Sequence, residues 1–204
     1  VEDRLAENIL EKEGGHLSAG LVGVPIVTTA LLERGRSDVV FTYLNQRDFP
    51  GYGHMLTQWG LKTLSERWDR PGSSLNHCMF GHAQEWFTGY LLGIRQASDS
   101  VAFERLRIEP TIVADLDGAE GHFDSPRGRV SVAWKREDDA IVLDVTVPGN
   151  TTADIVLPAG TPETVRESGN PVAAVPGIKS AIGNTQRTVV TAGSGRYRFT
   201  CPAP

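Results

Sequence analysis

The chemistry-bearing side chains of this chain crowd between Phe49 and Glu85. Three of the four tryptophans, Trp59, Trp68 and Trp86, fall there together with Tyr52, His54, Glu66, Asp69, His77 and His82. Aromatic faces beside carboxylates suit sugars, whose rings present apolar C–H faces and hydroxyl edges together. The same aromatics also suit the core between helices, and composition leaves both readings open. Within this region Ser65-Glu66-Arg67-Trp68-Asp69 precedes Arg70-Pro71-Gly72-Ser73, a loop signature that places Glu66 and Asp69 at the end of an element. Catalytic carboxylates are often presented that way. The competing reading is a surface Glu66–Arg67 ion pair, worth roughly 0–1 kcal/mol.

Other chemistries find less support. His77 and His82 are five residues apart, off the spacing of three or four that puts two ligands on one helix face, and His82 has a single i, i+3 candidate partner in Glu85. No metal and no cofactor is expected. Gly118 to Gly121 and Gly193 to Gly195 read as turns, not as a phosphate-binding loop leading from a strand into a helix. Neither a Gly-x-Ser-x-Gly elbow nor an activated-cysteine context occurs.

Composition narrows the classes further. The 204 residues are 40% hydrophobic and 22% charged, which fits a globular protein and excludes disorder and collagen. That length can bury a core without disulfide or metal staples. A formal charge of -5, without a Lys/Arg run to follow a phosphate backbone, argues against nucleic acid as a partner. No apolar run approaches the roughly 18–20 residues of a membrane span, so no membrane partner is expected. Cys78 and Cys201 stand far apart, which leaves the redox compartment open. The opening Val1-Glu2-Asp3-Arg4-Leu5 has neither an initiator Met nor a signal pattern and reads as part of a longer protein.

The elements that must position these residues change character near residue 100. A helix is predicted from about Leu75 to Ile94, with one stripe of Leu75, Met79, Ala83, Trp86 and Tyr90 and a second of Phe80, Phe87, Leu91 and Ile94, so that a wide face is buried. Gly93 suits its C-terminal end. An earlier helix runs from near Ser18 or Pro25 to Arg34 with Gly35 as its stop, and a third from about Ser37 to Gln46, as helical hairpins. From Phe103 onward the pattern is β. Val130, Val132 and Trp134 alternate on one face, Glu137-Asp138-Asp139 makes a turn, and Ile141, Leu143, Val145 and Val147 repeat the period of two. Further strands are expected at Ala153–Leu157, Thr188–Thr191 and Tyr197–Thr200, at β-sandwich spacing. The expected organisation is a helical segment over 1–97 and a sandwich, able to fold by itself, over 101–204.

Four blocks in one order then carry a resemblance: Gly15-His16-Leu17-Ser18-Ala19-Gly20-Leu21-Val22-Gly23-Val24-Pro25, Phe49-Pro50-Gly51-Tyr52-Gly53-His54-Met55, Ser65-Glu66-Arg67-Trp68-Asp69 and Ser74-Leu75-Asn76-His77-Cys78-Met79-Phe80-Gly81. Together they resemble the C-terminal part of bacterial α-L-rhamnosidases. The likeness continues through Arg107-Ile108-Glu109-Pro110, Phe123-Asp124-Ser125-Pro126-Arg127-Gly128 and Val132-Ala133-Trp134-Lys135 and weakens after about Pro158. It implies helical hairpins of a six-hairpin (α/α) barrel followed by an antiparallel β-sandwich, and inverting hydrolysis of terminal α-L-rhamnose from a rhamnose-containing glycoside or oligosaccharide. It also implies Glu66 as general base, His77 as a rhamnose contact, and Trp59, Trp68 and Asp69 as residues shaping the pocket. The family's general acid lies upstream of the matched region, so the missing N-terminal part of the same protein is an expected partner and the isolated chain is expected to be inactive. Ser65 stands where a bulky residue is common, and the loop from Asp69 to Ser73 is short, which bears on aglycone preference. Two other readings are a carbohydrate-binding or structural sandwich module, and a polysaccharide lyase using Asn76, His77 and Tyr52.

Overall fold

The structure is a computed structural model that describes residues 2–113, 116–184 and 186–203. The chain divides into two compact units, one ending at Phe87 and one beginning at Thr88.

The first unit is helical. Helix α1 (Glu2–Glu7) runs into a wider π turn, Asn8–Lys12, and is followed by α2 (Gly23–Glu33) and α3 (Ser37–Leu44). Pro25 sits in the first turn of α2, where its missing N–H leaves no helical bond unmade. The stop at Gly35 is as the sequence predicts: its φ is +73°, its N–H donates to Leu32 O, and Arg36 N–H donates to Leu31 O. That is a Schellman closure, which satisfies two carbonyls the helix end would otherwise leave open. Val24, Thr28, Leu31 and Leu32 of α2 are buried, as are Val39, Val40 and Tyr43 of α3. Thr28 Oγ1 donates to Val24 O and lies 2.7 Å from the Tyr43 hydroxyl, whose pKa burial pushes up to about 12. Helix α4 (Tyr52–Thr57) follows, and then α5 (Cys78–Gly81) and α6 (Ala83–Glu85), the last continuing as a π stretch, Trp86–Leu91.

The long helix predicted from Leu75 to Ile94 is therefore shorter and broken. His77 is extended (φ −92°, ψ 121°), because its N–H donates to Leu64 O across the preceding loop. The chain leaves the helix after Leu91, and Ile94 is already strand. Phe80, Ala83, Trp86 and Leu91 are buried, but Leu75, Met79 and Phe87 are exposed, so one face is covered where two stripes suggested more. Trp86 donates its indole N–H to Ser37 Oγ, 2.5 Å away. Val22 and Ile26 also lie on the surface, each about two-thirds exposed.

The second unit holds two sheets. One has the order β1-β2-β6-β10-β9, from Ile94–Gln96, Arg105–Ile108, Thr152–Leu157, Thr188–Ala192 and Ile178–Gly183; the other has β3-β4-β5-β11-β7-β8, from Gly118–Ser125, Gly128–Glu137, Ala140–Val147, Gly195–Pro202, Arg166–Glu167 and Asn170–Pro171. Neighbours are antiparallel except β2 and β6, which run parallel with Leu106 opposite Ala153. The β4–β5 hairpin turns at Asp138, whose φ of +51° is the left-handed conformation such turns require. Val130, Val132, Trp134, Ile141, Leu143, Val145 and Val147 are all buried, as their alternation predicts. Trp134 N–H donates to Leu91 O at 2.9 Å, and burial raises the Cys201 thiol to about 11.

Strand β1 falls within the 1–97 span assigned to helices on composition, yet Ile94, Arg95 and Gln96 pair with Ile108, Arg107 and Leu106 of β2. Gly93 makes the turn into it with φ +70°; a Cβ there would meet the Glu109–Pro110 backbone at 2.1–2.3 Å. Just beyond β2, Glu109 accepts from Arg95 and Arg107, both at 2.8 Å, and from Arg187. Partial burial opposes ionisation of Glu109, but the hydrogen bond from Arg107 and the three guanidinium charges outweigh it and hold the carboxyl below its ordinary range.

Two expectations follow for this unit. Residues 88–204 alone should unfold cooperatively on heating, whereas 101–204, lacking β1 and the Leu91 carbonyl, should melt lower; equal melting temperatures would show that β1 contributes nothing. A depressed carboxylate pKa adds stability above the unfolded value of roughly 4.3 and loses it as pH falls through the folded value. Glu109→Gln should accordingly cost about 1–2 kcal/mol at pH 7, allowing for solvent screening of the arginines, and much less near pH 2. Urea unfolding at the two pH values measures both, and a penalty independent of pH would contradict the charge argument.

Candidate functional site

The site lies in the first unit, in the segment between α4 and α5. Two backbone hydrogen bonds bring its two arms together: Glu66 N–H to Ser74 O at 3.2 Å and His77 N–H to Leu64 O at 3.1 Å. Glu66 and His77, eleven residues apart in sequence, thereby become neighbours, with Glu66 Oε2 3.9 Å from His77 Nδ1. That separation is too long for a hydrogen bond. Both side chains are about one quarter exposed, so each is partly fixed by its surroundings and still reachable from solvent.

The loop between the arms is fastened to the glutamate. Gly72 N–H donates to Ser65 Oγ at 2.8 Å, and Ser73 N–H donates to Glu66 Oε1 at 2.9 Å. Ser65 is fully buried. The carboxylate thus has one oxygen held by backbone and the other turned towards the imidazole. In the sequence Gly72 and Ser73 show only as loop residues, and Ser65 only as a small residue where a bulky one is common; the close approach over Glu66 is what a glycine six positions after it makes possible.

The other expected site residues behave differently from one another. Trp68 stands against Phe80 with ring centroids 4.3 Å apart and edge-on to Tyr52 at 5.2 Å, and its indole N–H donates to Ala19 O at 2.8 Å. Its polar group is therefore spoken for, and a ring face is what it has to offer. Asp69 is exposed and takes both arms of Arg67 at 2.9 Å; this hydrogen bonding lowers the Asp69 carboxyl and raises Arg67. Arg67 thus pairs with Asp69, and not with Glu66 as the competing reading of the sequence has it. Trp59 is half-buried and packs edge-on to His54 at 5.2 Å, and His54 in turn packs edge-on to Phe49 at 5.9 Å. Tyr52 is buried, which raises its phenol pKa, and its hydroxyl donates to Phe80 O.

Neighbouring histidines serve packing and pairing. His82 Nε2 lies 3.3 Å from Glu85 and 3.2 Å from Thr29 Oγ1. His16 bridges Glu13 O at 3.0 Å and Asp48 at 2.9 Å, which ties the first block of the resemblance to the loop ahead of α4. Slight burial opposes protonation of His16, but Asp48 and the Glu13 carbonyl prevail and raise its pKa. Among the described residues no three His, Cys, Asp or Glu side chains converge as metal ligands would.

With this geometry in place, comparison with known proteins decides the family. Residues 1–91 match the bacterial α-L-rhamnosidase six-hairpin glycosidase domain, and residues 93–171 match the bacterial α-L-rhamnosidase C-terminal domain. The chain belongs to the bacterial α-L-rhamnosidase family. It carries part of the six-hairpin domain followed by the sheets of the C-terminal domain. It is 32% identical over 209 residues to an α-L-rhamnosidase of Streptomyces avermitilis, an alignment covering 97% of this chain and 19% of that protein. A second rhamnosidase, from Alteromonas sp., is 30% identical over 161 residues, 74% of this chain and 17% of the relative.

Solved rhamnosidases share the fold. The S. avermitilis enzyme, complexed with L-rhamnose, superposes with a TM-score of 0.82 at 30% identity over 98% of this chain and 19% of that one. The α-L-rhamnosidase from Dictyoglumus thermophilum gives 0.83 at 26% identity, covering 100% and 23%. This rhamnosidase-family chain thus spans about a fifth of the length of these relatives.

Proposed function

We propose that this chain is the C-terminal part of an inverting glycosidase that removes terminal α-L-rhamnose from a glycoside or oligosaccharide, with Glu66 as its general base. The observation that carries this reading is the carboxylate itself: partly exposed, held through Oε1 by the Ser73 amide, and with Oε2 facing His77 at 3.9 Å. Two groups so spaced can both reach one water molecule at about 2.8 Å. Such a water, deprotonated by Glu66 as it attacks, would add to the anomeric carbon on the face opposite the leaving oxygen.

Inversion needs a second carboxyl group, protonated and roughly 6.5–9.5 Å away, to give its proton to that oxygen. We assign this group to the part of the protein that the relatives have beyond the matched fifth, and expect the isolated chain to be inactive. His77 contacts the rhamnose. Trp68 and Trp59 shape the pocket with ring surface, and Asp69, fixed by Arg67, forms part of its rim.

Two alternatives fit less well. A lyase would ask Tyr52 to move a proton, but that hydroxyl is buried and donates to Phe80 O. A sugar-binding sandwich would need an exposed aromatic platform, whereas Trp134 is buried and bonded to Leu91 O.

The test is Glu66→Ala in the complete polypeptide. Binding of L-rhamnose should persist while kcat falls by about 10²- to 10⁴-fold, the range for loss of a general base. Azide, entering the vacated space, should restore turnover and yield a rhamnosyl azide of inverted configuration. Undiminished hydrolysis by the variant would remove Glu66 from the role.

A further inference from the structure

We propose that Gly72 and Ser65 are positioning residues that orient the Glu66 carboxylate; this rests on the reading of Glu66 as general base. Two successive backbone amides, those of Gly72 and Ser73, meet two successive side chains, those of Ser65 and Glu66, at 2.8 and 2.9 Å. The first bond is made to a fully buried hydroxyl and fixes the height of the loop; the second then falls on Glu66 Oε1. At the foot of the loop the bonds Glu66 N–H to Ser74 O and His77 N–H to Leu64 O keep the arms in register.

Gly72 lies directly over the glutamate. A Cβ added there would stand 2.5 Å from Glu66 Cγ, 2.7 Å from Oε1 and 3.0 Å from Cδ. The three nearest atoms all belong to one side chain that is partly exposed, so that side chain is what yields first. An alanine at 72 would move the carboxylate and leave the fold in place. Removing the Ser65 hydroxyl acts from the other side: Gly72 N–H loses its acceptor, and the loop that carries Ser73 N–H loses its height stop.

Displacing a general base by about an ångström misaims it without changing its chemistry, and misplacement on that scale can cost about 10²-fold in rate. The effect belongs in kcat, because the base acts on water and not on the bound sugar.

The experiment uses the complete polypeptide and an aryl α-L-rhamnoside. Gly72→Ala and Ser65→Ala should each lower kcat by about 10- to 100-fold with KM held within about two-fold. In a Glu66→Ala background, azide-dependent turnover should be the same with Gly or Ala at position 72, because the carboxylate through which Gly72 acts is gone. Unchanged kcat in both single variants would overturn the proposal. So would an equal loss of azide-dependent turnover in the double variant, since the loop would then support the site generally. Should Gly72→Ala lose its far-ultraviolet circular dichroism, Ser65→Ala, which adds no atoms, decides the matter alone. Failure of the underlying reading looks different: Glu66→Ala would itself keep its activity, and both assignments would fall together.

Discussion

A short clasp of backbone on side chain, with Gly72 N–H on Ser65 Oγ and Ser73 N–H on Glu66 Oε1, holds the one carboxylate around which the candidate site is built. Each such bond contributes only about 1 kcal/mol net, so the clasp persists because its surroundings hold it closed. Ser65 is buried beneath the loop, and Trp68, two residues past Glu66, is seated on Phe80 and Tyr52. Phe80 in turn lies three residues beyond His77, in the helical turn that His77 introduces. One aromatic cluster therefore anchors both arms of the loop, one behind the glutamate and one behind the histidine.

The second unit is organised by different forces. Its cores come from period-two alternation, and Glu109 is a polar hub where one carboxylate gathers arginines from β1, from β2 and from the turn before β10. Side chains on three separate stretches of chain are held at one point, at the edge of the sheet where β1 has only three residues of pairing. No comparable polar hub is needed between β4, β5 and β11, where long antiparallel registers and buried aliphatic side chains suffice.

How much of this can be read from the sequence depends on the range of the interaction. The β4–β5 hairpin and the Schellman stop at Gly35 are legible because both arise from residues close in sequence: alternation about Asp138, and a glycine after an apolar helix face. The helix over 75–94 is misjudged because its apolar spacing is real but overridden: His77 spends its amide on Leu64, and Gly93 turns the chain against Glu109 and Pro110. Three residues of β1 are too few to show a period, and the parallel β2–β6 pairing joins strands some 47 positions apart, Leu106 to Ala153, with no local mark. Glu66 and His77 become a pair by resemblance to a family, not by their spacing of eleven. Gly72 shows only as a turn former, since nothing local reveals that it passes over the carboxylate.

The central claim, that Glu66 activates a water molecule for direct displacement at the anomeric carbon, is tested most directly by the configuration of the first sugar released. Proton NMR of the complete polypeptide acting on an aryl α-L-rhamnoside, recorded before mutarotation, resolves the two anomers. The expected first product is β-L-rhamnose, because a single displacement inverts the centre. Release of α-L-rhamnose first would mean two displacements through a covalent intermediate, and Glu66 could not then be the base of a single-displacement reaction.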